Sequence, residues 1–300
     1  MSEQPSPLAL ADLVGLIAFS AGVERFFHER GSEDFPRVTT RGHIGLTRYG
    51  RLQPPTRRVS RCAGGHDTYI ENGHDELDYG TRGEIPGFTV EASPDEVVVF
   101  VHGWLASEKA ALGRMGLLRH NLNENGYDSP VIGFTWDTDH DLTRWKGAVS
   151  VANRNGPKLA QFVYDYKEEN PETDVRLISN SLGANVLFEA VKTLHRSDVE
   201  PVRSASVLGG TVRCDSVSVD RRYGKAVERA TEEFHNYWSE NDRTLRSLYR
   251  FTEGEGAVGG EGGYGETPRN YTDHKVDVAD HFSYYVPGRG CIEEVVSEFD

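Results

Sequence analysis

The amino-acid sequence predicts an α/β fold with a mainly parallel central sheet and helices on both faces. Residues 97–101 form an unbroken β-branched and aromatic run, which is typical of a strand buried on both faces of a parallel sheet. Four further apolar runs follow and alternate with segments of helical character. Parallel neighbours need crossover connections, so this alternation puts helices on both faces of one sheet.

An apolar run near the N-terminus covers residues 7–23. Asp12 interrupts it, and Glu3 stands where a signal peptide would carry positive charge. The run is also short for a membrane-spanning helix. We therefore expect a helical, amphipathic segment over residues 1–30 and no stable membrane insertion, with an unusual signal sequence as the alternative.

Residues 31–90 are rich in Gly, Arg, Thr and Asp and contain short apolar patches such as residues 44–49. This composition predicts an irregular extension with one or two short strands, packed on the core.

The main domain is expected over residues 91–300, without a large cap insertion. Its strands are predicted at residues 97–101, 131–136, 175–179, 203–208 and 233–238, and its helices at residues 106–126, 143–170, 184–195 and 221–232. A glycine-rich stretch at 253–265 has little apolar surface, so we expect a mobile loop there.

The charge balance is acidic, with a net charge of −14, and seven of the 33 cationic residues are lysines. A surface that binds nucleic acid would need a basic stripe, so nucleic acid is excluded as a partner. The acidic, lysine-poor balance is typical of proteins from salt-loving microbes, where high salt screens the repulsion between carboxylates.

Three cysteines, Cys62, Cys214 and Cys291, cannot all pair within one chain and lack the short spacings of a zinc site. At least one free thiol favours a reducing, cytoplasmic location.

Residues 179–183 read Ser-Asn-Ser-Leu-Gly at the end of the third apolar run, where a helical segment begins. A small residue two before and a glycine two after Ser181 permit a sharp turn from strand to helix. Such a turn exposes the serine and leaves the amide of Leu182 free. An ordinary turn with a capping serine is the alternative interpretation.

His102, Gly103 and Trp104 follow the first buried run. Gly103 lets the backbone turn so that an amide can face a reacting carbonyl oxygen, as an oxyanion hole requires. A simple turn that closes the strand is the alternative.

The order strand, His-Gly-Trp, and then some eighty residues later strand, Ser-x-Gly and helix resembles the α/β-hydrolase superfamily of serine esterases, lipases and peptidases. It resembles the α/β hydrolases of haloarchaea in particular. The resemblance covers roughly residues 90–290 and implies an α/β-hydrolase fold. It further implies a serine hydrolase that cleaves a small-molecule carboxylic ester, with lipase or thioesterase activity as variants.

The family elbow usually reads Gly-x-Ser-x-Gly with His before the serine, whereas Ser179 and Asn180 occupy those positions here. This departure raises a second hypothesis, a hydrolase-fold binding protein with weakened or lost activity.

The family order of Ser, acid and base implies Asp242 as the acid, with Asp215 in reserve, and His281 as the base, with His274 in reserve. Asp242 could instead begin the helix that follows it. We rank His281 above His274 because residues 275–278 are expected to form the strand before the base.

The resemblance thus implies Ser181, Asp242 and His281 as the triad and the amides of Trp104 and Leu182 as the oxyanion hole. This chemistry requires no metal or cofactor. We expect His102 to be a structural hydrogen-bonding residue. Four aromatic residues could line an acyl pocket or belong to the core, namely Trp104, Trp136, Trp145 and Tyr264.

Overall fold

The computed structural model describes residues 33–47, 51–60, 67–91, 93–138, 144–197 and 199–299. The helical segment expected over residues 1–30 and the thiol of Cys62 lie outside these ranges.

The centre of the molecule is an eight-stranded sheet in the order β11-β10-β9-β8-β6-β7-β1-β5. Every neighbouring pair is parallel except β1 and β5, which are antiparallel. The sheet strands are β1 (Arg37–Thr39), β5 (Gly80–Arg82), β6 (Glu96–Val101), β7 (Val131–Thr135), β8 (Asp174–Asn180), β9 (Val202–Leu208), β10 (Thr231–Trp238) and β11 (Tyr271–Lys275). The predicted α/β fold with a mainly parallel central sheet is confirmed.

Helices cover both faces of this sheet, as predicted. They are α1 (Glu108–Glu124), α2 (Trp145–Glu169), α3 (Gly183–Leu194), α4 (Gly224–Ala230), α5 (Arg250–Glu253), α6 (Val258–Glu261) and α7 (Ile292–Ser297). Strand β6 shows the two faces directly. Val97 and Val99 pack in the cluster that contains residues of α2, α3 and α4, whereas Val98 and Phe100 pack in the cluster with α1 and α7. Full burial on both sides explains why this strand is apolar at every position but its first.

The extension before the main domain contributes two strands to the central sheet, β1 and β5, rather than lying over it. A separate three-stranded antiparallel sheet consists of β2 (Arg57–Ser60), β3 (Asp67–Glu71) and β4 (His74–Asp75). The division of the chain at residues 30 and 90 stays a prediction.

Two elements have bounds that differ from the predicted ones. The helix expected at 221–232 ends at Ala230, because the chain joins the sheet from Thr231. The strand expected at 275–278 lies earlier, at Tyr271–Lys275, since its partner β10 stops at Trp238 opposite Lys275. Val276 and Val278 are still buried, but they follow the strand.

The glycine-rich stretch expected to be mobile packs closely. Val258 is fully buried and begins helix α6. A Cβ on Gly259 would lie 2.3 Å from the carbonyl carbon of Gly209, so glycine permits two backbones to touch here. The prediction for this loop was therefore wrong. A low content of apolar side chains does not prevent packing where glycines let two backbones touch.

Within the part of the chain that the structure describes, no helix has both the length and the apolar character needed to cross a membrane. Cys214 and Cys291 are both free thiols.

Candidate active site

Ser181 lies on a tight turn between β8 and α3. Its φ of +54° is in the left-handed region, which non-glycine residues rarely adopt. Backbone hydrogen bonds hold the turn: the Ser181 amide donates to the Leu208 carbonyl at 3.0 Å, and the Ala184 amide donates to the Ser181 carbonyl at 3.1 Å. The strained serine therefore sits at the carboxyl end of a central strand, as the sequence pattern predicts for an elbow.

Two glycines allow the neighbouring strand end to approach this turn. A Cβ on Gly103 would lie 2.9 Å from the Cβ of Ser181. A Cβ on Gly183 would lie 2.5 Å from the Val101 carbonyl oxygen. The loop after β6 and the elbow after β8 are thus in backbone contact, which brings the residue after Gly103 beside the nucleophile candidate.

His281 contacts both other members of the predicted triad. Its Nε2 lies 2.8 Å from Ser181 Oγ, and its Nδ1 lies 2.7 Å from Asp242 Oδ2. The His281 side chain is 4% exposed and that of Asp242 is fully buried. Because a carboxylate accepts, Nδ1 carries the proton and Nε2 is left to accept from the serine hydroxyl.

Asp242 makes a contact with each of its two carboxylate oxygens. Its Oδ1 accepts from the Leu245 amide at 2.9 Å, at the start of a wide helical turn, Thr244–Tyr249. Its Oδ2 faces His281. The structural interpretation of Asp242 as the residue that begins a helix is thus compatible with contact to the imidazole.

The reserve candidates make their hydrogen bonds elsewhere. Asp215 receives two 3.0 Å hydrogen bonds from the Arg213 guanidinium, which holds the pKa of this carboxyl below its usual range. His274 lies within β11, with its Nε2 3.0 Å from Nδ1 of His235.

A buried arginine fixes the loop that carries the predicted oxyanion amide. Arg114 donates from Nη1 to the Trp104 carbonyl at 2.9 Å and from Nη2 to the Leu105 carbonyl at 3.1 Å. Leu105 has a positive φ of 52°. Neither the Trp104 amide nor the Leu182 amide donates to another described residue. Sequence reasoning missed Arg114, although a charged residue on the apolar stripe of a predicted helix is a usable signal.

His102 is fully buried under the same loop. Its Nδ1 lies 2.9 Å from the Gly103 carbonyl, and the Trp136 amide lies 3.4 Å from its Nε2. Burial lowers the pKa of His102 well below its usual range, so the ring is neutral. These contacts agree with the structural role expected for His102.

Tyr284 contacts the predicted acid, Asp242, and was also missed. Its hydroxyl lies 3.2 Å from Asp242 Oδ2 and 3.1 Å from the Gly259 carbonyl oxygen. The same carbonyl accepts from the Ser239 amide at 3.1 Å. The glycine-rich stretch therefore braces the loop that carries Asp242. These contacts are between residues far apart in sequence, and no local pattern signals them.

The unusual elbow residues are accommodated without exposure. Ser179 is fully buried in β8 and its hydroxyl has no hydrogen-bond partner among the described residues. Asn180 donates from its side chain to the Leu208 carbonyl at 3.1 Å.

A cavity of about 370 Å³ lies next to the elbow, but neither Ser181 nor His281 is among the residues that line it. Thr211 lines it and donates its amide to the Ser181 carbonyl at 3.3 Å. The lining combines aromatic rings with charged and small polar side chains, including Trp145, Tyr249, Asn153, Asn185, Arg213, Arg221, Arg222, Asp215 and Glu253. Of the four aromatic residues singled out, Trp145 lines this cavity. Trp104 and Trp136 are buried, and Tyr264 is 73% exposed.

A family model described as an α/β hydrolase of unknown function (DUF900) matches residues 84–254, a stretch that includes Ser181 and Asp242 and ends before His281. A comparison with curated proteins gave no match.

Solved structures with a similar arrangement include an esterase of Pyrobaculum calidifontis, at 12% identity and a TM-score of 0.43, with 98% of each chain covered. An esterase of Pyrococcus furiosus has 15% identity and a TM-score of 0.37, over 68% of this chain and 79% of the other. A Thermus thermophilus protein, TT1662, has 14% identity and a TM-score of 0.41, over 81% of this chain and 95% of the other.

Proposed function

The chain belongs to the DUF900 family of α/β hydrolases, and on this premise we propose that it is a serine hydrolase that cleaves carboxylic esters. One observation carries the proposal, the hydrogen-bonded series from Ser181 Oγ through His281 to Asp242, with distances of 2.8 and 2.7 Å. A serine, an imidazole and a buried carboxylate in this order form the arrangement that activates a serine hydroxyl.

In the first half of the reaction, Ser181 Oγ attacks the ester carbonyl carbon and its proton passes to Nε2 of His281. Asp242 holds the imidazole in the required tautomer and stabilises the imidazolium that forms. When the tetrahedral intermediate collapses, the alcohol leaves with the proton from Nε2, and an acyl-enzyme remains. Water then repeats the sequence and releases the acid.

The negative charge of the tetrahedral intermediate needs hydrogen-bond donors that are already in position. The amides of Trp104 and Leu182 are suited to this part, because Leu182 follows Ser181 and Trp104 follows Gly103, which lies against Ser181. Neither amide donates to another described residue. The Trp104 amide shares its peptide unit with the Gly103 carbonyl, which lies 2.9 Å from His102 Nδ1, and Arg114 fixes the next two carbonyls of the loop. An oxyanion donor of this kind contributes about 3 to 4 kcal/mol to the barrier reduction.

The cavity beside the elbow supports a substrate class. Its volume of about 370 Å³ fits a small ligand, and its asparagine side chains suit polar groups. Two of its arginines, Arg213 and Arg222, already pair with carboxylates. We therefore propose an ester of a short acyl group with a polar alcohol, in preference to a long-chain lipid.

The acidic, lysine-poor composition favours activity at high salt, because dissolved ions screen the repulsion between carboxylates. Together with the free thiols of Cys214 and Cys291, it is consistent with a reducing, cytoplasmic setting. Both statements remain part of the proposal.

The decisive experiment uses a fluorophosphonate probe in molar salt. Wild type should become labelled and should hydrolyse a short acyl ester, whereas Ser181→Ala should do neither while keeping its melting temperature. Ser150→Ala is the matched control, since Ser150 is on the surface of α2 and, among the described residues, its hydroxyl bonds only the Lys146 carbonyl in its own helix. A wild type that is folded but is neither labelled nor active would instead favour the hydrolase-fold binding protein.

A further inference from the structure

Two histidines and a glutamate come together on one face of the sheet edge, apart from the candidate triad. His235 of β10 and His274 of β11 project from the same face, at diagonal positions in the register. Glu298, just after helix α7, lies over them. One ligand atom from each of the three residues lies within 4.8 Å of the other two.

The two imidazoles are aimed at one another. Nδ1 of His235 and Nε2 of His274 are 3.0 Å apart, and Glu298 Oε2 is 4.0 Å from the same Nδ1. The His274 ring is also stacked on Tyr237, with ring centroids 4.6 Å apart, which fixes its orientation. The two ring nitrogens and a Glu298 oxygen therefore lie close enough for rotations of the side chains to bring them around one ion.

The second nitrogen of His235 gives an independent indication. The side chain is 6% exposed and Nε2 has no hydrogen-bond partner among the described residues, but Glu233 Oε2 lies 3.6 Å away. Histidines that bind a metal usually donate their other N–H to a carboxylate, which orients the ring. A small shift of the partly exposed Glu233 would complete this contact.

We propose that His235, His274 and Glu298 form a binding site for a divalent metal ion of the zinc type. Zinc takes imidazole nitrogens at about 2.0 to 2.1 Å in a tetrahedral arrangement, which puts two such nitrogens roughly 3.3 Å apart. The observed 3.0 Å between the nitrogens needs an expansion of a few tenths of an ångström, and the carboxylate oxygen, now 4.0 Å from His235 Nδ1, must move closer. Two imidazoles and one carboxylate suit zinc and leave a fourth position for water.

The metal would join three separate parts of the fold. It would connect the edge strand β11 to its neighbour β10 and to the C-terminal segment after α7. Arg176 anchors the same segment by donating to the Phe299 carbonyl. Because only the folded chain brings the three ligands together, binding should stabilise the fold.

The test is titration of the full-length, chelator-treated protein with zinc sulfate, followed by calorimetry and by thermal melting. We expect one zinc per chain and a melting temperature that rises with zinc concentration. His274→Gln and Glu298→Gln should each weaken binding at least tenfold. Glu298 is 39% exposed, so its variant keeps the test valid if the histidine variant misfolds.

The matched control is His74→Gln, which removes one ring of a second histidine pair, His43 and His74, stacked with centroids 3.7 Å apart. This variant should bind zinc as wild type does. Cobalt(II) supplies a direct readout, since a four-coordinate site gives intense visible absorption that His274→Gln should abolish.

Two results would overturn the proposal. One is the absence of zinc uptake by wild type, which would leave a hydrogen bond between two neutral imidazoles as the full account of the pair. The other is equal affinity in wild type and both variants, which would assign the bound zinc to other residues. Neither result depends on ester hydrolysis.

Discussion

Removing the hydroxyl of Ser179 should stabilise the protein. Ser179 is fully buried in β8 between Val101 and Val207, and its Oγ has no partner among the described residues. A buried hydroxyl without a hydrogen bond costs about 1 to 3 kcal/mol. Ser179→Ala deletes this one atom, so we expect the free energy of unfolding to rise by about 1 to 2 kcal/mol.

Ser179→Gly should raise the free energy of unfolding by less than Ser179→Ala does, because glycine in a strand costs roughly 0.5 to 1 kcal/mol relative to alanine. It restores the usual residue of the elbow, so the fold should be kept and hydrolysis should equal or exceed that of wild type. The measurements are urea unfolding of both variants and steady-state hydrolysis of a short acyl ester.

Ser204→Ala is the matched control. Ser204 is also fully buried, in the strand next to β8, but its hydroxyl accepts a 3.2 Å hydrogen bond from Arg176. This variant should lose about 1.5 to 3 kcal/mol, because it leaves a charged donor without its acceptor. The prediction is contradicted if Ser179→Ala lowers the free energy of unfolding as much as Ser204→Ala does. A folded Ser179→Gly protein with a large loss of activity would mean that the hydroxyl has a positive role.

Three further predictions follow from the site and the charges. Asp242→Asn should lower kcat/KM on the order of 10³- to 10⁴-fold while Asp215→Asn changes it little, and the reverse pattern in steady-state kinetics would move the acid to Asp215. Burial lowers the pKa of Lys158 from 10.5 to about 8, so the unfolded chain binds more protons between these values. Stability should therefore gain up to about 3 kcal/mol as the pH rises through that window, and denaturant unfolding of Lys158→Met should lack this gain. With a net charge of −14, the melting temperature should rise with KCl. The rise should be steepest from about 0.01 M, where the Debye length is ~30 Å, and a melting temperature independent of salt would contradict the halophilic interpretation.

The central strands could be predicted because burial on both faces demands an apolar residue at almost every position, as in β6 and β7. Edge strands carry no such demand. Strand β11 has the polar sequence Tyr-Thr-Asp-His-Lys, so the strand was expected at the more apolar residues 275–278. Strands β1 and β5 are three residues each and begin or end with arginine, which explains why they were not assigned to the main sheet.

The elbow is a local pattern, and its position before a helix can be read from the chain. The choice of Asp242 and His281 relies on the order of residues in a resembling family, and the preference for His281 over His274 relies on a strand expected at residues 275–278. The strand lies at Tyr271–Lys275 instead, so His274 is inside it and His281 still follows it. The contacts of Arg114 and Tyr284 join parts of the chain that are far apart, so they emerge only from the packed structure.

The residues of the candidate triad follow strands that differ in their number of neighbouring strands. Ser181 follows a central strand with neighbours on both sides, whereas His281 comes six residues after β11, which pairs with β10 alone in the central sheet. Segments with few partners open locally at a smaller free-energy cost than the whole fold does. Fraying of this one edge would withdraw the base from an intact nucleophile elbow. Heat inactivation of the proposed enzyme would then begin below the temperature at which the protein melts, and cooling would reverse it.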